Sequence, residues 1–341
     1  MKRARRNWKR MTDEQLLDVR LCDLGLRLST SAVQPRIQRL YRELEARGIS
    51  FRPHVWLAED WFSPDGVPGF AVPFYLTHPR LARLERKMAG VAEGSNANWQ
   101  MRILRHEAGH AIDSAYRLRR RARWRALFGR ASSRYGAQYR ARPASRRHVQ
   151  HLGEWYAQAH PTEDFAETFA VWLQPRSDWR RRYAQWPALR KLEFVDQVAA
   201  EIGGQPAVVK DRALVEPLED NPLTLREHYR RRRRAEHRRH RGLADRLLRR
   251  VFATAEEAQR GAMPAATLLR GMKSTLRDML ERRGGADRYA AQQLVRLAIE
   301  RCEQLQLYER GSRRLLLPRL RGALVRIARG YIASDELRLR L

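Results

Sequence analysis

Two histidines four residues apart constrain this chain most, because they predict both a helix and a metal ion bound jointly by the two side chains on one face of it. They occur in the segment His106-Glu107-Ala108-Gly109-His110. Side chains four apart on a helix project from the same face. Both imidazoles can therefore reach one ion at the ~2.0 to 2.1 Å typical of zinc–nitrogen bonds. We predict a zinc site on a long helix over residues 99–118, with Glu107 beside it as the general base.

A second acidic segment, Glu163-Asp164-Phe165-Ala166-Glu167, offers the missing ligand. A catalytic zinc usually takes three protein ligands and keeps one position open, and with this motif the third is often a carboxylate from another helix. We predict that His106, His110 and Glu163 hold one zinc ion per chain. Glu167 lies one turn further on the same face and suits the outer N–H of a ligand histidine. The plainer alternatives are a solvated Glu163 at a helix start and a Glu167 paired with arginine.

Three further residues complete the predicted site. Tyr156, seven residues before Glu163, is the candidate donor to the oxyanion that develops on a scissile carbonyl. Its alternative is a core tyrosine with a satisfied hydroxyl. Gly109 allows another backbone to approach the metal helix, and Asp113 is placed to fasten that helix from its inner face. His148, His151 and His160 lack ligand spacing and are interpreted as loop residues.

The pattern of apolar and turn residues predicts an α+β fold that is mainly helical, with a small sheet. Short β-rich stretches cover residues 51–57 and 70–76, with the turn Ser63-Pro64-Asp65-Gly66 between them. We predict a zincin-like metallopeptidase domain over residues 1–204, an arginine-rich linker over 205–241 and a helical bundle over 242–341. One predicted helix begins near Thr12 and continues through Leu24. The others cover about 35–45, 81–88, 99–118, 162–173, 177–185 and 187–202.

The net charge of +31 is the compositional outlier, and only six of the 69 basic residues are lysine. Such a charge predicts attraction to polyanions, so nucleic acid bound through the arginine-rich segments 117–147 and 226–241 is one expected partner. An acidic protein or peptide substrate is another, because the first segment begins and ends near the metal. An arginine-rich genome is the alternative explanation.

The cysteines and the apolar runs exclude several other classes of protein. Cys22 and Cys302 lack the paired spacing of a disulfide framework or a cysteine zinc site. No apolar run is long enough to predict a transmembrane helix. Polar residues follow Arg5-Arg6 where an export signal needs an apolar stretch, so we expect a cytoplasmic protein.

Two motifs carry a family resemblance. The segments His106-Glu107-Ala108-Gly109-His110-Ala111-Ile112-Asp113 and Glu163-Asp164-Phe165-Ala166-Glu167, the latter preceded by Tyr156, resemble the catalytic domain of anthrax lethal factor. They are most similar to the bacterial family called putative zinc-binding metallopeptidases, over about residues 10–203. The resemblance implies a gluzincin-type site with the ligands and base named above. It also implies an upper strand, here 70–76, that aligns a peptide by strand addition.

The leading functional hypothesis is therefore a zinc metallopeptidase acting on a protein or peptide. One alternative is a nucleic-acid-associated protein, and another is a regulatory binding protein with a latent or structural zinc site. The sequence leaves the substrate, the oligomeric state and the role of residues 205–341 open.

Overall fold

The computed structural model describes residues 8–89, 92–134, 145–286 and 288–333. The pair Arg5-Arg6, and Arg140 and Arg142 of the predicted cationic connection, lie outside the described residues. The chain divides into two compact units, of which the first reaches His228 and the second begins at Tyr229. Each unit is described separately below.

The first unit combines helices with one small sheet. Its helices and strands, in chain order, are α1 (Asp13–Leu17), α2 (Gln34–Glu45), β1 (His54–Ala58), β2 (Gly69–Pro73), α3 (Pro79–Ala89), α4 (Ala97–Tyr116), α5 (Ala122–Phe128), α6 (Pro161–Leu173), α7 (Trp179–Arg182) and α8 (Leu189–Ile202). The helix predicted from Thr12 ends early, at Leu17, because Arg20 is extended and pairs with Thr224.

The two strands are parallel, with His54 opposite Gly69 and Ala58 opposite Pro73. β2 ends at Pro73, three residues before the predicted end, because the next four residues form a 3-10 turn. The backbone N–H of Ala71 donates to the carbonyl of Phe62 at 2.8 Å. Since Ala71 also pairs with β1, Phe62 occupies the opposite edge of β2 at this position. The strand implied for peptide addition is thus covered there by the chain's own backbone.

α4 is the central helix of the first unit, and fifteen of its residues are buried. The Asn96 side chain caps its start by accepting from the N–H of Trp99 at 2.8 Å. Near its middle, the Arg105 guanidinium donates to Glu43 of α2 at 2.7 and 2.9 Å, and both side chains are buried. This paired charge fixes α4 against α2, directly beside His106.

α4 and α6 touch backbone to backbone at Gly109. A Cβ atom built there would lie 2.9 Å from Cα of Ala166 and 3.2 Å from its carbonyl oxygen. Both neighbours are main-chain atoms and have no rotamer to change. The predicted close approach at Gly109 is confirmed, and it brings the His106 helix within ligand reach of the Glu163 helix.

We expect Gly109→Ala to destabilise the protein by about 1 to 3 kcal/mol, because the added methyl overpacks the contact between α4 and α6. Gly322→Ala is the matched control, since Gly322 is also helical but has nothing within 4 Å of an added Cβ. There the better helix propensity of alanine should stabilise the protein by up to ~1 kcal/mol. Thermal unfolding of both variants measures the two effects, and equal shifts would contradict the close-approach argument.

Residues 205–228, which the sequence assigned to a linker, lie in the first compact unit. Val209 N–H donates to the Ala115 carbonyl at 2.9 Å, and the Trp56 indole donates to the Val215 carbonyl at 2.9 Å. Farther on, Leu21 N–H donates to the carbonyl of Leu223. These bonds tie the segment along its length to α4, to β1 and to the N-terminal region.

The helix α9 (Leu225–Val251) takes up residues 225–241 of the predicted linker. Like-charge repulsion among its arginines is expected to keep this tract solvated. Arginine has a high intrinsic helix propensity, however, and a helix spreads successive side chains around its axis. The arginine tract is therefore helical, and the rest of the proposed domain assignment stays a prediction.

The second unit is a helical bundle. Besides most of α9 it contains α10 (Ala265–Gly271), α11 (Lys273–Arg283), α12 (Arg288–Gln304) and α13 (Arg313–Ala333). Its core is mostly aliphatic and includes Leu248, Leu269, Leu280 and Leu324, together with Phe252. The predicted α+β class, mainly helical with a small sheet, is confirmed. Among the described helices, none combines the length and apolar character that crossing a bilayer requires.

Candidate metal centre

Three donor atoms from α4 and α6 converge at one point. The Nε2 atoms of His106 and His110 lie 3.1 Å apart, and Oε2 of Glu163 lies 3.0 Å from the first and 3.2 Å from the second. His106 is fully buried, and Glu163 is 5% exposed. The three predicted ligands are therefore positioned to bind a metal ion.

The spacing of these donors fits zinc. Ligands held ~2.0 to 2.1 Å from a tetrahedral ion lie roughly 3.3 Å from one another, close to the observed triangle. Two ring nitrogens that face each other and share one carboxylate oxygen cannot all be satisfied by hydrogen bonds among themselves, whereas a shared cation satisfies all three. Two imidazoles and a carboxylate are also a donor set typical of zinc.

Glu167 fixes the orientation of His106 from behind. Its Oε1 lies 3.0 Å from Nδ1 of His106, and its Oε2 accepts from the backbone N–H of Leu152 at 2.9 Å. The side chain is fully buried. A proton on Nδ1 is thereby favoured, which leaves Nε2 as the donor to a metal. The structure thus brings Glu167 to the position predicted for it, and not to an arginine.

The same carboxylates act on the protonation of His106. Burial lowers the pKa of His106, but the contacts with Glu163 and Glu167 outweigh it and raise the pKa to about 10. The carboxyl of Glu163 has a pKa well below its usual range, because His110 and His106 overcome the effect of burial. Since a ligand imidazole must be neutral, an incoming ion competes with a proton at this site.

The Asp113 carboxylate is buried two turns beyond Glu107 and binds Arg119. Its Oδ1 accepts from the Arg119 backbone N–H at 2.8 Å, and its Oδ2 accepts from Nε at 2.6 Å. The guanidinium continues to Asp65 at 2.6 Å. Burial raises the pKa of Asp113, and Arg119 counteracts part of that effect. Asp113 therefore fastens the end of α4, as expected, through an arginine rather than through a ligand histidine.

Asp164, next to Glu163, forms a buried ion pair with Lys191 of α8. The Lys191 ammonium also donates to the carbonyl of Arg147 at 2.9 Å. Burial raises the pKa of Asp164 to about 7, and Lys191 opposes that rise. The pair connects α6 to α8 on the side of α6 that carries no metal ligand.

Ser63 is a site residue that the sequence did not reveal. Its hydroxyl donates to Oε2 of Glu107 at 2.7 Å. From the sequence, residues 63–66 were predicted only as a turn between two strands. This turn carries a hydroxyl and a carboxylate, Ser63 and Asp65, ahead of the helix that bears His106, and these polar groups could have marked it as part of the site. Its contact with Glu107 depends on tertiary packing and could not be deduced from spacing.

Tyr156 and the nearby histidines differ in their relation to the site. The Tyr156 ring is buried against His106, with ring centroids 5.6 Å apart. His160 caps the start of α6, its Nδ1 accepting from the Thr162 N–H, and His151 contacts the carbonyl of Arg102. Burial lowers the pKa values of His151 and His148 to about 4. None of these three histidines joins the ligand triangle in the part of the chain that the structure describes.

Comparison with protein families identifies the segment that carries the site. Residues 101–185 match the model of a family described as "putative zinc-binding metallo-peptidase". Over these residues the chain is similar to that family. The matched segment includes all three candidate ligands, Glu107 and Tyr156. No curated protein and no solved structure matches the chain significantly, so the resemblance to lethal factor stays a prediction.

We expect Glu163→Ala to lower zinc affinity more than Glu167→Gln does. An outer hydrogen-bond partner of a ligand histidine typically contributes about 10- to 100-fold in affinity, and removal of a ligand should exceed that range. Competition with a chromophoric chelator measures both constants. Glu193→Ala, an exposed glutamate of α8, is the control. Unchanged affinity in Glu163→Ala would remove Glu163 from the ligand set.

Proposed function

We propose that this protein is a zinc-dependent metallopeptidase that hydrolyses peptide bonds with Glu107 as general base, one zinc ion being bound per chain. The observation that carries the proposal is the triangle of His106 Nε2, His110 Nε2 and Glu163 Oε2, with Glu107 on the same helix turn. The family match over residues 101–185 supports it. Zinc, when bound, acidifies a coordinated water and polarises a carbonyl group.

In this proposal, one residue of the chain transfers the protons and another stabilises the negative charge that develops on the scissile carbonyl. Glu107 takes the proton of the attacking water on its carboxylate and returns it to the nitrogen of the leaving amine. Because Oε2 of Glu107 already accepts from Ser63, Oε1 is the oxygen available for this transfer. Tyr156 is the proposed donor to the oxyanion of the scissile carbonyl, and its ring packed against His106 supports that role.

The proposal is tested by incubating a proteome-derived peptide library with the purified full chain and reading the products by mass spectrometry. Three samples are compared: protein treated with a chelator, the same protein reloaded with zinc, and zinc alone. Cuts that appear only with zinc-loaded protein would support a peptidase and reveal its side-chain preferences. Absence of cuts with one zinc bound per chain would reject peptide hydrolysis in favour of a binding role.

An acidic substrate is a weaker proposal than peptide hydrolysis itself. Several arginines expected to attract acidic peptides are engaged inside the first unit. Arg119 binds Asp113 and Asp65, and Arg121 pairs with Glu201. No described contact favours nucleic-acid binding, which stays a prediction from the net charge.

A further inference from the structure

We infer that the turn formed by residues 63–66 is a positioning element for the general base, with Ser63 orienting Glu107 and Asp65 anchoring the turn to α4. This inference rests on the proposed peptidase function and assigns to that site a residue outside the matched family segment. Ser63 is a positioning residue here, because its effect on the reaction passes through Glu107.

The first supporting observation is the contact between Ser63 and Glu107. The Ser63 hydroxyl lies 2.7 Å from Oε2 of Glu107 and 3.4 Å from the carbonyl oxygen of the same residue. Glu107 is 1% exposed, so water has little access to replace this donor. A hydrogen bond to a carboxylate is among the stronger ones in proteins. Ser63 therefore holds one oxygen of Glu107 and restricts rotation of the carboxylate.

The second observation is that the turn itself is fixed to α4 at a separate point. Asp65 accepts from the Arg119 guanidinium at 2.6 Å, and that guanidinium also donates to Asp113 of α4 at 2.6 Å. Asp113 is buried, and its other oxygen accepts from the backbone of Arg119. The arginine thus forms a charged connection between the turn and the helix that bears Glu107.

Both ends of the turn are also held by the sheet region. Phe62, just before Ser63, accepts from the N–H of Ala71 in β2. Val67, just after Gly66, is buried in a small cluster with Trp56 and Ala71. Gly66 has φ of +80°, a conformation that a residue with a side chain adopts only with strain. The position of the Ser63 hydroxyl is consequently determined by the fold, as a positioning residue requires.

This arrangement predicts a specific kinetic effect. Without the hydroxyl, Glu107 should populate orientations that do not face the attacking water, and only the correctly oriented fraction supports turnover. We expect Ser63→Ala to lower kcat by about 10-fold or more with little change in KM, since a lost hydrogen bond to a charged group has roughly this effect. Ser63→Thr retains the hydroxyl and should restore most of kcat.

A double-mutant cycle tests whether Asp65 acts through Ser63. Asp65→Ala should lower kcat in the wild-type background and have little further effect in Ser63→Ala, because the orientation of Glu107 is already lost. Additive losses in the double variant would overturn the link between the two residues. Ser95→Ala is the control, since Ser95 is an exposed serine of the same unit. These measurements use the zinc-loaded full chain and a peptide identified in the library experiment.

Hydrogen exchange gives a readout that is independent of turnover. In chelator-treated protein, the backbone amides between residues 61 and 67 should exchange faster in Ser63→Ala and in Asp65→Ala than in wild type, and Ser63→Thr should resemble wild type. If wild type cleaves peptides and Ser63→Ala cleaves them equally fast, the inference alone is overturned. If wild type cleaves nothing, the proposed function fails first, and unchanged exchange in Ser63→Ala would show that the contact itself is absent.

Discussion

Glu107→Gln is expected to retain zinc while losing turnover by about 10²- to 10⁴-fold in kcat, the usual contribution of a general acid–base group. Glutamine has the same shape and can still accept from the Ser63 hydroxyl through its amide oxygen, so the local packing should persist. It cannot take a proton from water at neutral pH. Glu107 is not one of the three converging ligands, which is why the metal should stay bound.

The measurement combines single-peptide kinetics with zinc content by elemental analysis. Glu85→Gln is a useful control, because Glu85 is a buried glutamate of α3 outside the metal centre. Turnover of Glu107→Gln at the wild-type rate would show that another group acts as the base. Loss of zinc from this variant would instead place Glu107 among the ligands.

Lys191→Met is expected to lower the free energy of unfolding of the first unit by about 3 to 5 kcal/mol, because it leaves the buried carboxyl of Asp164 without its cation. All nine tryptophans lie between Trp8 and Trp186, so tryptophan fluorescence during urea unfolding reports on this unit alone. Lys87→Met is the matched control. Its partner Asp13 lies 2.7 Å away, but both side chains are well exposed, and such a pair contributes ~1 kcal/mol or less.

The effect of Lys191→Met should depend on pH. The folded-state pKa of Asp164 lies above the ordinary value of 3.8 and should rise further without the ammonium. Between the ordinary pKa of 3.8 in the unfolded chain and the raised pKa in the folded protein, the folded protein binds a proton that the unfolded chain has released. The free energy of unfolding therefore falls as pH rises through this window. The difference from wild type should consequently be larger at about pH 7.5 than at about pH 5.5. A difference independent of pH would indicate that packing, and not charge, causes the loss.

The ligand set was predictable because it depends on local geometry. His106 and His110 needed only the helical repeat, and Glu167 followed from its one-turn spacing to Glu163. The convergence of two helices at the three candidate donors required a further clue, which Gly109 supplied: a glycine inside a strongly predicted helix indicates a close neighbour.

The features that could not be predicted from the sequence depend on contacts between distant segments of the chain. Ser63 reaches Glu107 across 44 residues of chain, and Asp65 reaches Asp113 through Arg119. The attachment of residues 205–228 to the first unit uses backbone groups, whose partners a sequence does not encode by residue type. The helical state of the arginine tract was not predicted, because a run of like charges indicated a solvated linker although arginine has a high helix propensity.

The backbone contact between α4 and α6 at Gly109 has a consequence for how a metal would enter the proposed site. The donors are held by a glycine approach, by the Arg105–Glu43 pair and by the Asp164–Lys191 pair, none of which uses a donor atom of the candidate triangle. Small zinc domains, by contrast, use the energy of metal binding to fold. Because these contacts use no donor of the triangle, we expect a chelator to remove a bound zinc ion reversibly, without unfolding the protein. Occupancy would then follow the zinc supply around a protein that has already folded.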